Sequence, residues 1–338
     1  MANLNDEFLE FNQSLQLTNS KKELMITSRE NLREKIKKYF EEKHPAYRPI
    51  FYIQGSYKMK TSIRTKDDYC DLDDGVYFIP EPSVTAPTLH GWVYDAVCNV
   101  TNLNPIRKNK CIRVKYAKGY HIDIPIYKKA SFDASDKPKL AVKDTGYIES
   151  DPHEIVNWFQ EAKKKHPEVV RIVCYFKAWA DNISHSMPSG LAWTTLVVDN
   201  LFIGQRDDIV LVRTAENVLN KLKTKFQCIV HGTPYDDLFA DYDDEKRNRI
   251  LDDLTNLVAK GENALTEKNK LKASKMWRQL LGDRFPLAED VTEPGVSVEY
   301  LKEYAEGIRN NNIYLSKSGT FGEKGILAQP HKFYGSKK

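Results

Sequence analysis

The sequence predicts an α+β chain, a helix-backed mixed sheet over residues 1–150 followed by a helical region over 151–315. Two observations carry this. Short β-rich runs with two-residue alternation cluster between Ile50 and Tyr127, and beyond Ser150 the apolar residues recur at helical spacing between proline-marked starts. The change in texture near residue 150 sets the expected boundary, with a cleft between the two parts. Residues 316–338, ending in FYGSKK, read as a flexible basic tail.

From Ser20 to Lys43 a long amphipathic helix is expected, with Leu24, Leu32, Ile36 and Phe40 as its apolar stripe and Pro45 beyond its end. Ile50 to Ile53 then forms a strand ended by Gly55, and Leu72 to Ile79 a second. Ile112 to Tyr116 and His121 to Tyr127 pair through a turn at Lys118-Gly119. Asp151-Pro152 opens the first helix of the second part in cap-then-proline order. VVRIVCYFKAWADN, after Pro167, is apolar nearly all round and therefore central to a core. Further helices start after Pro188-Ser189 and at Asp207, and a long charged one is expected from Asp241 to Ala273.

Composition excludes several functional classes. Lysine and arginine number 51 against 47 acidic residues, a mild excess with no basic stripe for a long nucleic acid. The five cysteines are scattered and never spaced as CxxC, which points to reduced thiols and a cytoplasmic protein. No run approaches the roughly 18 apolar residues of a membrane span.

The chemistry concentrates in two stretches, QGSYKMK at residues 54–60 and CDLDDGV at 70–76. Alternation along a strand sends Asp71 and Asp73 to one face and Asp74 to the other. Two carboxylates on one face repel, and burial makes that costly unless a cation lies between them. Oxygen-only ligands of this kind suit Mg²⁺ or Mn²⁺. An EF-hand is excluded, because Gly75 is fifth from Asp71 and the twelfth residue is Pro82. Asp123, in HIDIPIY, is a third acid on a strand whose opposite face carries Ile122, Ile124 and Ile126. If that strand lies beside the first, three carboxylates converge. Gly55 lets backbone N–H groups approach an anion, and a helix begun by Tyr57 to Arg64 would favour phosphate at its N-terminus. Phosphate grip beside metal grip describes a nucleoside triphosphate site.

The pattern hGS, DxD and hDh resembles that of the DNA polymerase β-like nucleotidyltransferases. The fuller wording QGSYKMKT, DLDDGVYF and HIDIPIY, with SDPHEIVNWF, RIVCYFKAWAD and PSGLAWTTLV downstream, is similar to the cGAS/DncV-like branch, the bacterial CD-NTases. That resemblance spans roughly residues 1 to 240. It implies a polymerase β-like core with the active site in the cleft, and two Mg²⁺ ions on Asp71, Asp73 and Asp123. It further implies that Gln54, Gly55 and Ser56 hold a triphosphate, and that Lys177 and Ser189 reach the donor triphosphate. Arg113, ten residues before Asp123 on the adjacent strand, is expected to face the same cleft and to contact a base or phosphate of the nucleotide. Ser150, a natural N-cap, stands where the family places a nucleotide contact.

The implied activity joins ATP and GTP into a cyclic dinucleotide, cyclic GMP-AMP favoured, for anti-phage signalling through a downstream effector, with an operon-encoded partner as regulator. A template-independent polymerase making linear 2′-5′ oligonucleotides and a non-catalytic sensor are the alternatives. Lys163-Lys164-Lys165-His166, His121 and Asp236-Asp237 are weaker candidates, and Tyr47, Tyr52 and Tyr57 are assigned to packing.

Overall fold

The computed structural model describes residues 2–292 and three two-residue strands beyond them, Tyr314–Leu315, Phe321–Gly322 and Ile326–Leu327. In chain order the elements begin with α1 (Asn5–Leu15), α2 (Asn19–Lys43), β1 (Pro49–Gln54), α3 (Gly55–Met59), β2 (Cys70–Phe78) and α4 (Ala86–Val97). Next come β3 (Ile106–Arg107), β4 (Ile112–Tyr116), β5 (Tyr120–Ile124), β6 (Ile126–Lys128), β7 (Lys139–Val142) and β8 (Gly146–Glu149). Six helices follow: α5 (Pro152–Lys165), α6 (Val169–Asn182), α7 (Gly190–Asp199), α8 (Asp207–Thr224), α9 (Asp244–Thr266) and α10 (Lys270–Leu281). The expected tail from residue 316 lies outside the described residues except at the last two short strands.

The sheet runs β3-β4-β5-β2-β6-β7-β8, with β1 also paired to β2. It is mixed because β2 pairs in parallel with β5 and β6 and antiparallel with β1. β5 and β6 are one strand interrupted at Pro125, which has no N–H to give the ladder. Its carbonyl still accepts from the Val76 N–H at 2.9 Å. Along β2, Leu72, Val76 and Phe78 pack under α2 and α4, and the odd-numbered side chains face the helical region.

α2 backs this sheet as expected, but its stripe is Met25, Leu32, Ile36 and Phe40, and Leu24 is 42% exposed. At 100° per residue, Met25 lies within about 20° of Leu32 whereas Leu24 is about 80° away. The segment after the glycine-serine turn also departs from expectation. α3 is a single turn that ends where Lys60 adopts a left-handed conformation, φ 64°. The long helix expected from Asp241 divides at residues 267–269, where Glu267 Oε1 accepts from the Lys268 and Asn269 N–H groups and Asn269 caps α10.

Apolar burial falls into two main cores. One holds residues between Leu17 and Ala141, between the sheet and α2 and α4. The other holds α5 to α10 around α6, as the all-round apolar sequence of α6 predicts. α1 belongs to this second core although it precedes the sheet. Phe8 makes edge contacts with Tyr175, Trp277 and Phe285 at ring separations of 4.9–5.3 Å. The Tyr175 hydroxyl lies 2.8 Å from both the Phe8 carbonyl and the Asp207 carboxylate. Among the described residues no helix is long and apolar enough to cross a membrane.

Candidate active site

A cavity of about 660 Å³ opens where the sheet meets α5, α6 and the start of α7. One transverse row of the sheet starts in its wall, at Gln54 and Asp73, and runs on beyond it. Gln54 on β1 stands opposite Asp73 on β2, Asp73 opposite Asp123 on β5, and Asp123 opposite Arg113 on β4. Adjacent strands are about 4.8 Å apart, so the row places two carboxylates side by side between an amide and a guanidinium. Four of the residues singled out in the sequence therefore share a single line of the ladder.

The four acids find different environments. Asp74 points to the opposite face, where Arg33 of α2 donates to it through Nε and Nη2 at 2.7 and 2.6 Å and only 3% of it is exposed. Asp71 and Asp73 line the cavity, and among the described residues neither has a hydrogen-bonded or ion-paired partner. Burial pushes the Asp73 carboxyl up to about 8, helped by the negative charges of Asp71 and Asp123 and opposed by Arg113 and Lys177. Asp123 goes the other way. Burial alone would raise it, but Arg113 donates to both its oxygens at 2.7 and 2.6 Å and His121 lies nearby, which together hold it below the usual carboxylate range. Arg113 thus faces the same side as Asp123, and its guanidinium is taken up by that carboxylate.

Among the described residues no three ligating side chains come together as a metal-binding cluster. The donor set at Asp71 and Asp73 nevertheless suits a hard divalent cation: carboxylate oxygens only, facing a cavity, one of them disfavoured as an anion without a cation.

Gly55 has φ +63°, and a Cβ there would lie 2.1 Å from Asp73 Oδ2. Only glycine permits both the backbone turn and this approach. Ser56 Oγ lies 2.7 Å from Ser62 Oγ, and the Thr61 N–H donates to the Ser56 carbonyl at 2.9 Å. α3 is therefore a tight loop returning residues 61–62 beside the glycine-serine turn. Lys177 Nζ, across the cavity on α6, donates to the Thr61 carbonyl at 3.0 Å and its hydroxyl at 3.1 Å. The lysine points inward to Thr61 rather than to bulk water, and burial there lowers its pKa.

Ser150 lines the cavity, and its N–H donates to the Pro138 carbonyl. Asp151 is the N-cap, as its place before Pro152 predicts, its carboxylate accepting from the His153 N–H at 3.0 Å, so the capping also expected of Ser150 is not its role. Ser189 caps α7 by accepting from the Ala192 N–H at 3.2 Å; it is exposed, and its neighbours Pro188 and Gly190 line the cavity. His121 stacks on Tyr69 and its Nδ1 lies 3.2 Å from the Tyr69 hydroxyl. Asp237 accepts from the Cys228 and Phe239 N–H groups in a local turn away from the cavity. The run Lys163 to Lys165 ends α5, with Lys164 paired to Glu161. Tyr47 stacks on Trp92 and Tyr52 meets Tyr77 edge-on, both as packing groups.

Three cavity groups went unrecognised in the sequence. The Tyr127 hydroxyl accepts from Gln54 Nε2 at 3.2 Å while its ring stacks on Tyr77, and period-two alternation from Asp123 would have found it. Ser62 braces Ser56. Asp181, one turn beyond Lys177, accepts from the Lys66 N–H and from Arg284, fixing the cavity rim.

Residues 49–127 match the family model described as cyclic GMP-AMP synthase DncV-like, nucleotidyltransferase domain. A cyclic GMP-AMP synthase of Escherichia albertii is 30% identical over 191 residues, 52% of this chain and 42% of the relative. One of Escherichia coli is 27% identical over 217 residues, 46% of this chain and 48% of the relative. The chain spans about half the length of these curated relatives. Among solved structures, the Vibrio cholerae DncV cyclic AMP-GMP synthase superposes with a TM-score of 0.73 at 18% identity, covering 84% of this chain and 97% of that one. Its complex with the linear intermediate 5′ pppA(3′,5′)pG superposes at 0.71 and 20% identity, with coverages of 84% and 97%. At such identities the likeness is one of fold. The matched segment, residues 49–127, contains the whole row from Gln54 to Arg113 and is similar to the nucleotidyltransferase domain that the family model describes.

Proposed function

We propose that this protein is a metal-dependent nucleotidyltransferase that joins two nucleoside triphosphates into a cyclic dinucleotide, with cyclic GMP-AMP from ATP and GTP as the favoured product. The observation that carries this reading is the facing of unpaired Asp71 and Asp73 with the Gly55-Ser56 turn inside one cavity. A space of about 660 Å³ is of the size that encloses a small-molecule ligand. The names of the E. albertii and V. cholerae relatives support the choice of product.

Asp71 and Asp73 would hold divalent cations, with Mg²⁺ favoured and Mn²⁺ as a substitute, and Asp123 would complete the set for two ions. When bound, such ions activate the attacking hydroxyl and stabilise the departing pyrophosphate. The chain's own groups do the positioning. The backbone at Gly55 and the Ser56 hydroxyl approach phosphate oxygens, and Lys177 sets residues 61–62 behind them. Tyr127 fixes the Gln54 amide at the start of the turn. In each of two rounds a 2′- or 3′-hydroxyl oxygen bonds to an α-phosphorus, the bond to pyrophosphate breaks, and the hydroxyl proton is released. Ser150 lines the cavity, where it can touch a nucleotide, and Ser189 acts by shaping the start of α7.

A cytoplasmic role in anti-phage signalling, through an effector that binds the cyclic product and an operon-encoded regulator, extends the same reading. Its test is incubation of purified protein with Mg²⁺ or Mn²⁺ and four nucleoside triphosphates, each omitted in turn, followed by phosphatase and mass analysis. A phosphatase-resistant dinucleotide that requires ATP and GTP is expected. A ladder of phosphatase-sensitive products would replace the reading with a linear polymerase. Nucleotide binding without product under any of these conditions would replace it with a sensor.

A further inference from the structure

Asp123 is the one member of the acidic trio that already has a positive partner. The Arg113 guanidinium engages both of its oxygens in a planar fork, at 2.7 and 2.6 Å, while among the described residues Asp71 and Asp73 have no such partner. Asp73 and Asp123 are opposite in register, yet Asp71 and Asp73 line the cavity and Asp123 does not. A second fork on the other face of the sheet provides the contrast. Arg33 and Asp74 are sealed under α2, with side chains 17% and 4% exposed, whereas Arg113 is 24% and Asp123 13% exposed. The first ties helix to sheet under cover; the second is the more open of the two to solvent.

We infer that Arg113 is a positioning residue that withholds Asp123 from the cation site until an anion with two acceptor oxygens takes over the guanidinium. The triphosphate of an incoming nucleotide has the required chemistry, since phosphate offers guanidinium the same bidentate geometry as carboxylate. This inference rests on the nucleotidyltransferase reading of the cavity. It makes the cation site two-stage: Asp71 and Asp73 hold a cation in the nucleotide-free protein, and Asp123 joins only when nucleotide has drawn Arg113 away.

The test titrates Mn²⁺ alone into the nucleotide-free full-length protein, with the free ion followed by electron paramagnetic resonance. Arg113→Met is expected to bind Mn²⁺ about tenfold more tightly than wild type. The double variant Arg113→Met/Asp123→Asn, which removes both charges of the fork and so strands neither of them, is expected to return to about the wild-type affinity. Equal affinity in wild type and Arg113→Met would show that Arg113 withholds nothing. A double variant at least about tenfold weaker than wild type would show that Asp123 already ligates in the resting protein, and either result overturns the inference. Asp73→Asn separates the two levels, because it is expected to weaken Mn²⁺ binding whatever Arg113 does. Unchanged binding in that variant would remove the cation site itself and both readings with it.

Discussion

The Asp73 carboxylate packs against the α-carbon of Gly55, so closely that a methyl group there would sit 2.1 Å from Oδ2. The glycine-serine turn and the Asp73 carboxylate are thus in mutual contact, so that a displacement of one is felt by the other. Gly55→Ala combines this clash with a strained positive φ. Turnover is expected to fall by about 100-fold or more, since displacement of reacting groups by an ångström has that effect. Initial rates on folded variant check it, and a loss below tenfold would mean that the contact tolerates relaxation.

Asp73 also makes a statement about pH. Its carboxyl sits at about 8 in the folded protein, against about 3.9 in an unfolded chain. Between those values the folded state holds a proton that the unfolded state has lost, so stability falls as pH rises through this window, by up to about 1.4 kcal/mol per unit. Asp73→Asn removes the penalty while abolishing turnover. In chelator it should melt above wild type at pH 8, with the difference closing toward pH 4. Thermal melts across that range decide the point; parallel curves would contradict the raised carboxyl.

Lys177 pins the return of the α3 loop through Thr61. Lys177→Met removes the donor and leaves the Thr61 carbonyl without its partner, a loss of about 1–3 kcal/mol. A kcat/KM reduced by about 10- to 100-fold is expected, in steady-state assays with each triphosphate varied in turn. An unchanged value would make the lysine a packing residue.

Phe8 joins α1 to the second core through three aromatic contacts. Phe8→Ala is expected to cost about 3–5 kcal/mol. Urea unfolding followed by tryptophan fluorescence reports on it directly, since Trp277 is one of the partners.

Much of this site could be read from residue pattern because strands impose a period of two. Asp71 and Asp73 against Asp74, and Asp123 against its isoleucines, follow from that period alone. The pairing of Arg113 with Asp123 does not, because it depends on the register between β4 and β5, set by the turn at residues 117–119. Short-range competition decided other details. Ser150 and Asp151 both carry capping side chains, and Pro152 at the first helical position already marks the aspartate as the cap, which leaves Ser150 free to line the cavity. Met25 replaced Leu24 in the stripe of α2 because four-residue spacing drifts around a helix of 3.6 residues per turn. The placement of α1 rests on partners near the far end of the described chain, which no local window contains.

That placement bears on how the polypeptide matures as it is made. The sheet core draws on residues from Leu17 to Ala141 and can close while later segments are still being added. α1 precedes the sheet in the chain, yet Phe8 gains Tyr175 only after the sheet has been made and Trp277 and Phe285 about a hundred residues later, so its apolar face is covered in stages. The last segments of the second core to emerge therefore complete the burial of a helix made before the sheet, and order in the helical half joins segments about 270 residues apart.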